Sequence, residues 1–359
     1  MNLLSRSTLL DLPLEVDRSA LQGLSLETPG GWNRKTTVVA LHGNGVSGYG
    51  EDVTYSGEEQ VALQERGAPE GLLGASTLDA FSAKLEAIAP EQWFPTPPEQ
   101  PASYHYRRWA FESAALDLAL KQNRVSLAEI LRHPPAPVRF VHSVGLGEPP
   151  SLDVLHRRLF HVPDLRFKLD WQESWDEELL LGLRDLDAVD VVDFKGHYHG
   201  AFQGPEPEPT GYAIVAEMLP HAWLEDPAWT EACADVLRPY AARVTWDAPL
   251  HKMKDLKDLP MQPQVINIKP SRFATVERLL RVLQWCDAEG VQAYGGGQFE
   301  LGPGRCQIQH LASLCYPDGA NDVAPVAYHL ADTADALPAS PLPAFEETEG
   351  FGGWTPDEA

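Results

Sequence analysis

Residues Val265–Arg272 read VINIKPSR, and the lysine inside this octapeptide decides the fold. Lys269 closes the apolar run VINI, where a charged side chain is costly unless it faces a polar cavity. Read outward from this point, the chain repeats one unit: a short apolar strand that ends in a polar residue, then a helical stretch. The remaining candidate strands are Val138 to Val144, Leu165 to Leu169, Ala188 to Asp193, Ala222 to Glu225, Arg243 to Asp247, Gln292 to Gly295 and Asp322 to Ala327. The strand-end residues Lys168, Asp193, Glu225, Asp247, Lys269 and Glu300 follow one another at intervals of 22 to 32 positions. A (β/α)8 barrel of about 250 residues spends roughly 31 per unit, so the rhythm is that of a barrel and not of a sandwich.

The first part of the chain has a different texture. Thr36 to Leu41 (TTVVAL) is β-branched and runs into GNGVSGYGED, whose glycines suit a hairpin bend in an antiparallel sheet. From Tyr106 to Leu131 the apolar residues recur at helical spacing until His133-Pro134-Pro135 stops the run. These signals divide the chain into an α+β domain over 1–135 and a barrel over 136–330. The stretch from 331 to 359 is acidic and rich in Pro and Gly, the composition of a tail or a strap laid over another surface.

Composition narrows the partners. The 359 residues carry 28 Lys and Arg against 52 Asp and Glu, a formal charge of −24, which repels nucleic acid and anionic membranes alike. Cys233, Cys286, Cys306 and Cys315 show no CxxC pair or zinc-site spacing, and the start MNLLSRSTLLDLPLEV lacks a basic region followed by a long apolar stretch. Nothing approaches the roughly 18 uninterrupted apolar residues of a spanning helix. The expectation is a reduced, cytoplasmic protein that meets a small-molecule carboxylate, with no nucleic-acid or membrane partner and with homo-oligomerisation left open.

Barrel enzymes place their catalytic groups at the C-terminal ends of the strands, which open onto one face. That rule selects Lys168, Asp193, Glu225, Asp247, Lys269 and Glu300 from among the charged residues. Asp193, Glu225 and Asp247 form an all-oxygen set suited to a hard cation such as Mg²⁺. A proton next to a carboxylate has a very high pKa, and its loss leaves a doubly charged enediolate that a metal stabilises as charge develops. Lysines then serve as proton carriers, because burial and neighbouring positive charge lower an ammonium pKa towards working pH. Lys168 and Lys269 lie four strands apart, placed to face opposite sides of a substrate. Glu300 and His197, in the loop after the third strand, are candidate substrate contacts.

These residues resemble the enolase superfamily and, within it, the muconate lactonizing enzyme subgroup. LEDP is similar to the motif holding the second metal ligand, INIKPSR to the sixth-strand lysine motif, GGGQFELGPGR to the seventh-strand segment, GVSGYGED to the N-terminal sheet motif and AFESAALDLALK to the capping-domain helix. The resemblance implies a (β/α)7β modified TIM barrel with an α+β capping domain and a C-terminal segment packed back on the cap. It implies Mg²⁺ on Asp193, Glu225 and Asp247, acid and base roles for Lys168 and Lys269, and cap loops around Gly43 to Asp52 that close the barrel mouth. It implies α-proton abstraction leading to racemisation or epimerisation, to a dehydration such as o-succinylbenzoate synthesis, or to cycloisomerisation of a muconate. Three positions depart from the pattern: Arg166 replaces the first lysine of Lys-x-Lys, Lys195 the Asn of Asp-x-Asn, and Asp247-Ala248-Pro249 the usual Asp-Glu-Ser. Arg166 and Lys195 therefore join the candidate substrate contacts.

Two other readings stay open at this point. His197-Tyr198-His199 suits a His-based transition-metal site in a hydrolase barrel, and Lys195 beside the metal position suits a barrel that binds a small acidic ligand without turnover.

Overall fold

The computed structural model describes residues 3–28, 31–198, 203–330 and 337–356. Strands β1 (Pro13–Val16) and β5 (Gly74–Thr77) pair antiparallel, and β2 (Arg18–Glu27), β3 (Asn33–Gly43) and β4 (Val46–Asp52) form an antiparallel sheet. The β3–β4 link is a two-residue turn in which Asn44 and Gly45 have φ of 50° and 79°, the positive angles that a type I′ hairpin requires. Beneath this sheet runs the helix Ser103–Asn123, buried along most of its length. Sheet and helix touch backbone to backbone: a Cβ on Gly50 would stand 2.0 Å from the Ala110 carbonyl, and one on Gly48 2.3 Å from that of Ala114.

That close approach corrects one expectation. The segment 43–52 is pressed onto the helix and does not close the barrel mouth; the cap reaches the mouth through Tyr55, Gln100 and Tyr106. The helical run also divides in two. Arg124 turns left-handed at φ 55°, and Ser126 with Glu129 forms a capping box that starts a new helix at Leu127–Leu131.

The second part is a parallel barrel. Strands β6 (Val141–Val144), β7 (Arg166–Asp170), β8 (Val189–Asp193), β9 (Trp223–Glu225) and β10 (Val244–Thr245) follow in sequence order, and β11 (Val265–Ile268) pairs with β12 (Gln292–Gly295). The amide of Asn267 donates to the Trp246 carbonyl and joins the two groups. The ring closes through two parallel bridges, Gly296 with Asp322 and Phe140 with Asn321. The eighth strand is thus reduced to two residues, where the apolar run predicts a strand over 322–327. Pro325 has no N–H for a ladder, and the chain turns into the 3-10 helix Val326–His329.

The helices between strands begin where their sequences provide caps. Asp176, Thr230 and Thr275 each accept a hydrogen bond from the backbone N–H three residues on. The apolar faces of these helices join one continuous core with the cap helix. The C-terminal segment crosses back over both parts. Leu342 bridges Val138, Gly350 bridges Ser126, and the Phe351 amide donates to Asp117 at 2.7 Å.

The outer face of the barrel wall buries one histidine among aromatic rings. His142 on β6 is 3% exposed between Phe167 and Tyr328, and neither ring nitrogen has a hydrogen-bond partner among the described residues. Burial, reinforced by Arg158, depresses its pKa to about 3. The unfolded chain takes up this proton near pH 6.5 while the folded chain refuses it, so stability falls as pH drops from 6.5 towards 3. The loss between pH 7.5 and 5.5 is about 1.4 kcal/mol for such a group. Urea unfolding of His142→Phe should show an acid limb flattened by this amount; an unchanged limb would contradict the assignment.

Candidate active site

The strand ends bring five of the residues singled out by sequence to one place. Asp170, Asp193 and Glu225 are register partners on β7, β8 and β9, and Asp247 follows two residues beyond the end of β10. Alternation along a strand sends every second side chain to the same face, so Lys168 points inward while Phe167 and Leu169 pack outward into the core. A cavity of about 880 Å³ opens above, with Lys168, Lys195, Lys269 and Arg272 on its wall. The cap covers one side of it through Tyr55 and Tyr106.

Asp193, Glu225 and Asp247 are each 0% exposed, and each is met by a cation. The Lys168 ammonium donates to Glu225 and stands 3.4 Å from Asp193. Lys195 Nζ lies 2.6 Å from Asp193 Oδ2, and its backbone N–H donates to Oδ1 at 2.9 Å. Lys269 Nζ lies 2.8 Å from Asp247 Oδ2, which Arg272 approaches at 3.3 Å. Burial by itself would lower the Lys168 pKa, but the Glu225 and Asp193 carboxylates raise it well above the usual lysine range. The same opposition holds for Asp247: burial favours the proton, and Arg272 followed by Lys269 holds the group below the ordinary carboxylate range.

Further donors complete the arrangement. Glu225 Oε2 accepts from the Asn267 amide at 3.1 Å and from the Tyr294 hydroxyl. Tyr198 donates to Asp247 at 3.1 Å and receives Arg272 at the same distance. Asn267 precedes Lys269 by two residues and so shares its face, a signal that was present in VINIK. Arg272 stood in the same motif, whereas Tyr294 and Tyr198 had no distinguishing pattern.

The other candidates separate. His197 lines the cavity with its ring 5.4 Å from Trp246, and His199 lies outside the described residues. Arg166 does not reach the mouth. It sits two residues earlier on β7, a rise of about 3.3 Å per residue, and pairs with Asp190 at 2.7 Å beside Arg139 at the opposite end of the strands. Glu300 is buried behind the wall, where it accepts from the Gln298 amide at 2.8 Å and faces Arg305 at 3.7 Å. It braces the loop after β12; its expected substrate contact is not supported.

As the side chains stand, no three His, Cys, Asp or Glu among the described residues converge on one ion position, because ammonium groups stand between the carboxylates. The donor set nevertheless fits a hard divalent cation. It is all oxygen, on three successive strand ends, and Asp247 Oδ1 is buried without a hydrogen-bond partner among the described residues.

The fold that carries this strand-end site is shared with solved barrel isomerases. Over 94% of this chain and 99% of the other, the structure matches a dipeptide epimerase from Methylococcus capsulatus complexed with Mg and the dipeptide L-Arg-D-Lys, at TM-score 0.70 and 17% identity. It matches the muconate cycloisomerase of Pseudomonas fluorescens at TM-score 0.69 and 17% identity, covering 96% and 97% of the two chains. The chain belongs to the family described as Domain of unknown function (DUF8230), whose N-terminal domain matches residues 7–130 and whose C-terminal domain matches 134–330. Two relatives are N-succinylamino acid racemases. The Amycolatopsis protein is 31% identical over 218 residues, 57% of this chain and 56% of that protein; the Thermus thermophilus protein is 28% identical over 335 residues, 85% and 81%.

Asp247 is held by a residue that sequence analysis passed over. Asp226, with φ 47° and 0% exposure, accepts from the amides of Asp247 and Ala248, both at 2.8 Å. Asp226→Ala leaves two buried N–H groups unpaired, each costing about 1–3 kcal/mol. Chemical denaturation should show a loss of about 2–6 kcal/mol, and unchanged stability would count against this role.

Proposed function

We propose that the chain is an isomerase or lyase of the enolase superfamily that removes the α-proton of a small carboxylate with the help of Mg²⁺. Racemisation or epimerisation of an N-acylated amino acid or dipeptide is the favoured reaction, and dehydration of the o-succinylbenzoate type is the second. The observation that carries this reading is the placement of two buried lysines, Lys168 on β7 and Lys269 after β11, on one cavity wall from opposite sides of the barrel ring. Residues 1–135 with the tail 331–359 would act as the cap and 136–330 as the catalytic barrel.

In this mechanism Asp193, Glu225 and Asp247 would hold the metal. Bound Mg²⁺ supplies fixed positive charge at the substrate carboxylate and neutralises the acids that otherwise keep the lysines protonated. One lysine, as the free amine, takes the α-proton, and the C–H electron pair moves into the carboxylate to give the enediolate. For inversion, the other lysine, as the ammonium, returns a proton to the opposite face of the same carbon. For dehydration, the enediolate electrons expel a β-hydroxyl, which leaves as water with a proton from an ammonium group. Arg272 and Tyr198 orient Asp247, and the cap residues Tyr55 and Tyr106 exclude water from the reacting carbon.

A non-catalytic binder is favoured by one observation, the occupation of Asp193 by Lys195 at 2.6 Å. Isotope exchange separates the two readings. Incubation with Mg²⁺ and a panel of N-succinylamino acids and dipeptides in D₂O should introduce deuterium at the α-carbon of at least one compound. Lys168→Ala and Lys269→Ala should each lower turnover by about 100- to 10,000-fold, and in a racemase each should retain exchange for one enantiomer only. Protein that holds Mg²⁺ but exchanges nothing in the panel would leave the binder.

Asp193→Asn, Glu225→Gln and Asp247→Asn test the metal assignment separately. Each should abolish Mg²⁺-dependent turnover while circular dichroism stays that of the parent. Full activity in any of the three would remove that residue from the ligand set.

A further inference from the structure

Lys195 has a backbone held by hydrogen bonds and an ammonium group placed between two carboxylates. The Lys195 N–H is held by Asp193 Oδ1, the Gly196 N–H donates to the Asp226 carbonyl at 2.8 Å, and the Phe194 N–H donates to the Glu225 carbonyl at 2.9 Å. Two tight contacts add to this. A Cβ on Gly196 would stand 2.2 Å from the Ala228 amide nitrogen, and one on Gly204 2.3 Å from the Lys195 carbonyl. The segment is therefore fixed between β8, the loop after β9 and the stretch before helix Pro209–Met218, with Lys195 at φ 54°.

The ammonium group has two carboxylates within reach. It stands 2.6 Å from Asp193 Oδ2 and 3.2 Å from Asp170 Oδ1, and 5.0 Å from the centre of the Tyr198 ring. Asp193 already uses both oxygens on this one residue. Asp170 differs: its side chain is half exposed, and its shielded Oδ1 is ion-paired with Lys195 but has no hydrogen-bond partner among the described residues. A rotation of the terminal bonds would aim the ammonium at Asp170 and release Asp193.

We propose, on the basis of the metal-dependent reading above, that Lys195 is a built-in competitor for the divalent cation. In the metal-free protein its ammonium neutralises Asp193. On metal binding it transfers to Asp170, which serves as its second seat. The physical reason is charge. Asp193 is fully buried and cannot stand unpaired, so a cation must be present in both states, and Asp170, whose side chain is 48% exposed, keeps the displaced ammonium paired at the edge of the cavity.

Titration of MgCl₂ into the full chain, followed by calorimetry and by melting temperature, tests this without any substrate. Lys195→Asn should bind Mg²⁺ at least about tenfold more tightly than the parent, a difference of about 1.4 kcal/mol. It should also melt lower without Mg²⁺ and gain more on its addition. Asp170→Asn should weaken Mg²⁺ binding in the parent but change nothing in the Lys195→Asn background, because its effect passes through the lysine.

Equal or weaker Mg²⁺ binding by Lys195→Asn, with a binding parent, would overturn the competitor role and leave the proposed function intact. An equal loss from Asp170→Asn in both backgrounds would overturn the second seat. Absence of Mg²⁺ binding in parent and variants alike would overturn the metal-dependent reading itself and this inference with it. Binding by Lys195→Asn alone would support the inference in its strongest form.

Discussion

The constraint on which the rest of the structure depends is the burial of three carboxylates at neighbouring strand ends. Asp193, Glu225 and Asp247 are shielded from water, and isolated buried charges of one sign cost several kcal/mol each unless paired. The barrel resolves this by directing cations to the same point from every side: Lys168 from β7, Lys195 from the loop after β8, and Lys269 with Arg272 from the end of β11. An overall charge of −24 thus coexists with a cavity whose wall is rich in cations, a local field that attracts anions.

The cap and the barrel are joined through backbone recognition as much as through the shared apolar core. Arg34, 0% exposed, donates to the carbonyls of Val53 and Thr54 within the cap and of Gln298 and Phe299 in the loop after β12. Glu51 on β4 accepts from the amides of Leu301, Gly302 and Gly304 at the start of helix Pro303–Cys315, where carboxylates are favoured by the unpaired N–H groups. Both residues fasten the loop that carries Gln298 and Phe299 on the cavity wall. Cap position and cavity shape are therefore mechanically linked.

The two cations singled out as departures from the resembled motifs acquire different meanings once placed in space. Arg166 is a lower-barrel residue committed to Asp190, so it acts at the base of the barrel and not at the mouth. Lys195 stands in the middle of the acid cluster and alters its charge balance directly. Two cations 29 residues apart in the chain thus fall on opposite ends of the same barrel.

The sequence by itself determined the barrel class, the order of the charged strand ends, and the two lysines. Periodicity and the cost of a charge inside an apolar strand are local properties, and VINIKPSR or VVDF carries them without reference to the rest of the chain. What only the tertiary structure decided was which side chains share a point in space. Asp226, Tyr294 and Asp170 became part of the site because ring closure brought them there. The segment 43–52 was removed from the mouth because Gly48 and Gly50 let it lie on a helix about 60 residues away in sequence. Glu300 was set aside by the path of the loop after β12, which turns it behind the cavity wall, and Arg166, a strand charge like the others, by depth along the barrel axis. That depth depends on register and strand stagger, which are set by pairing between strands and leave no trace in any one of them.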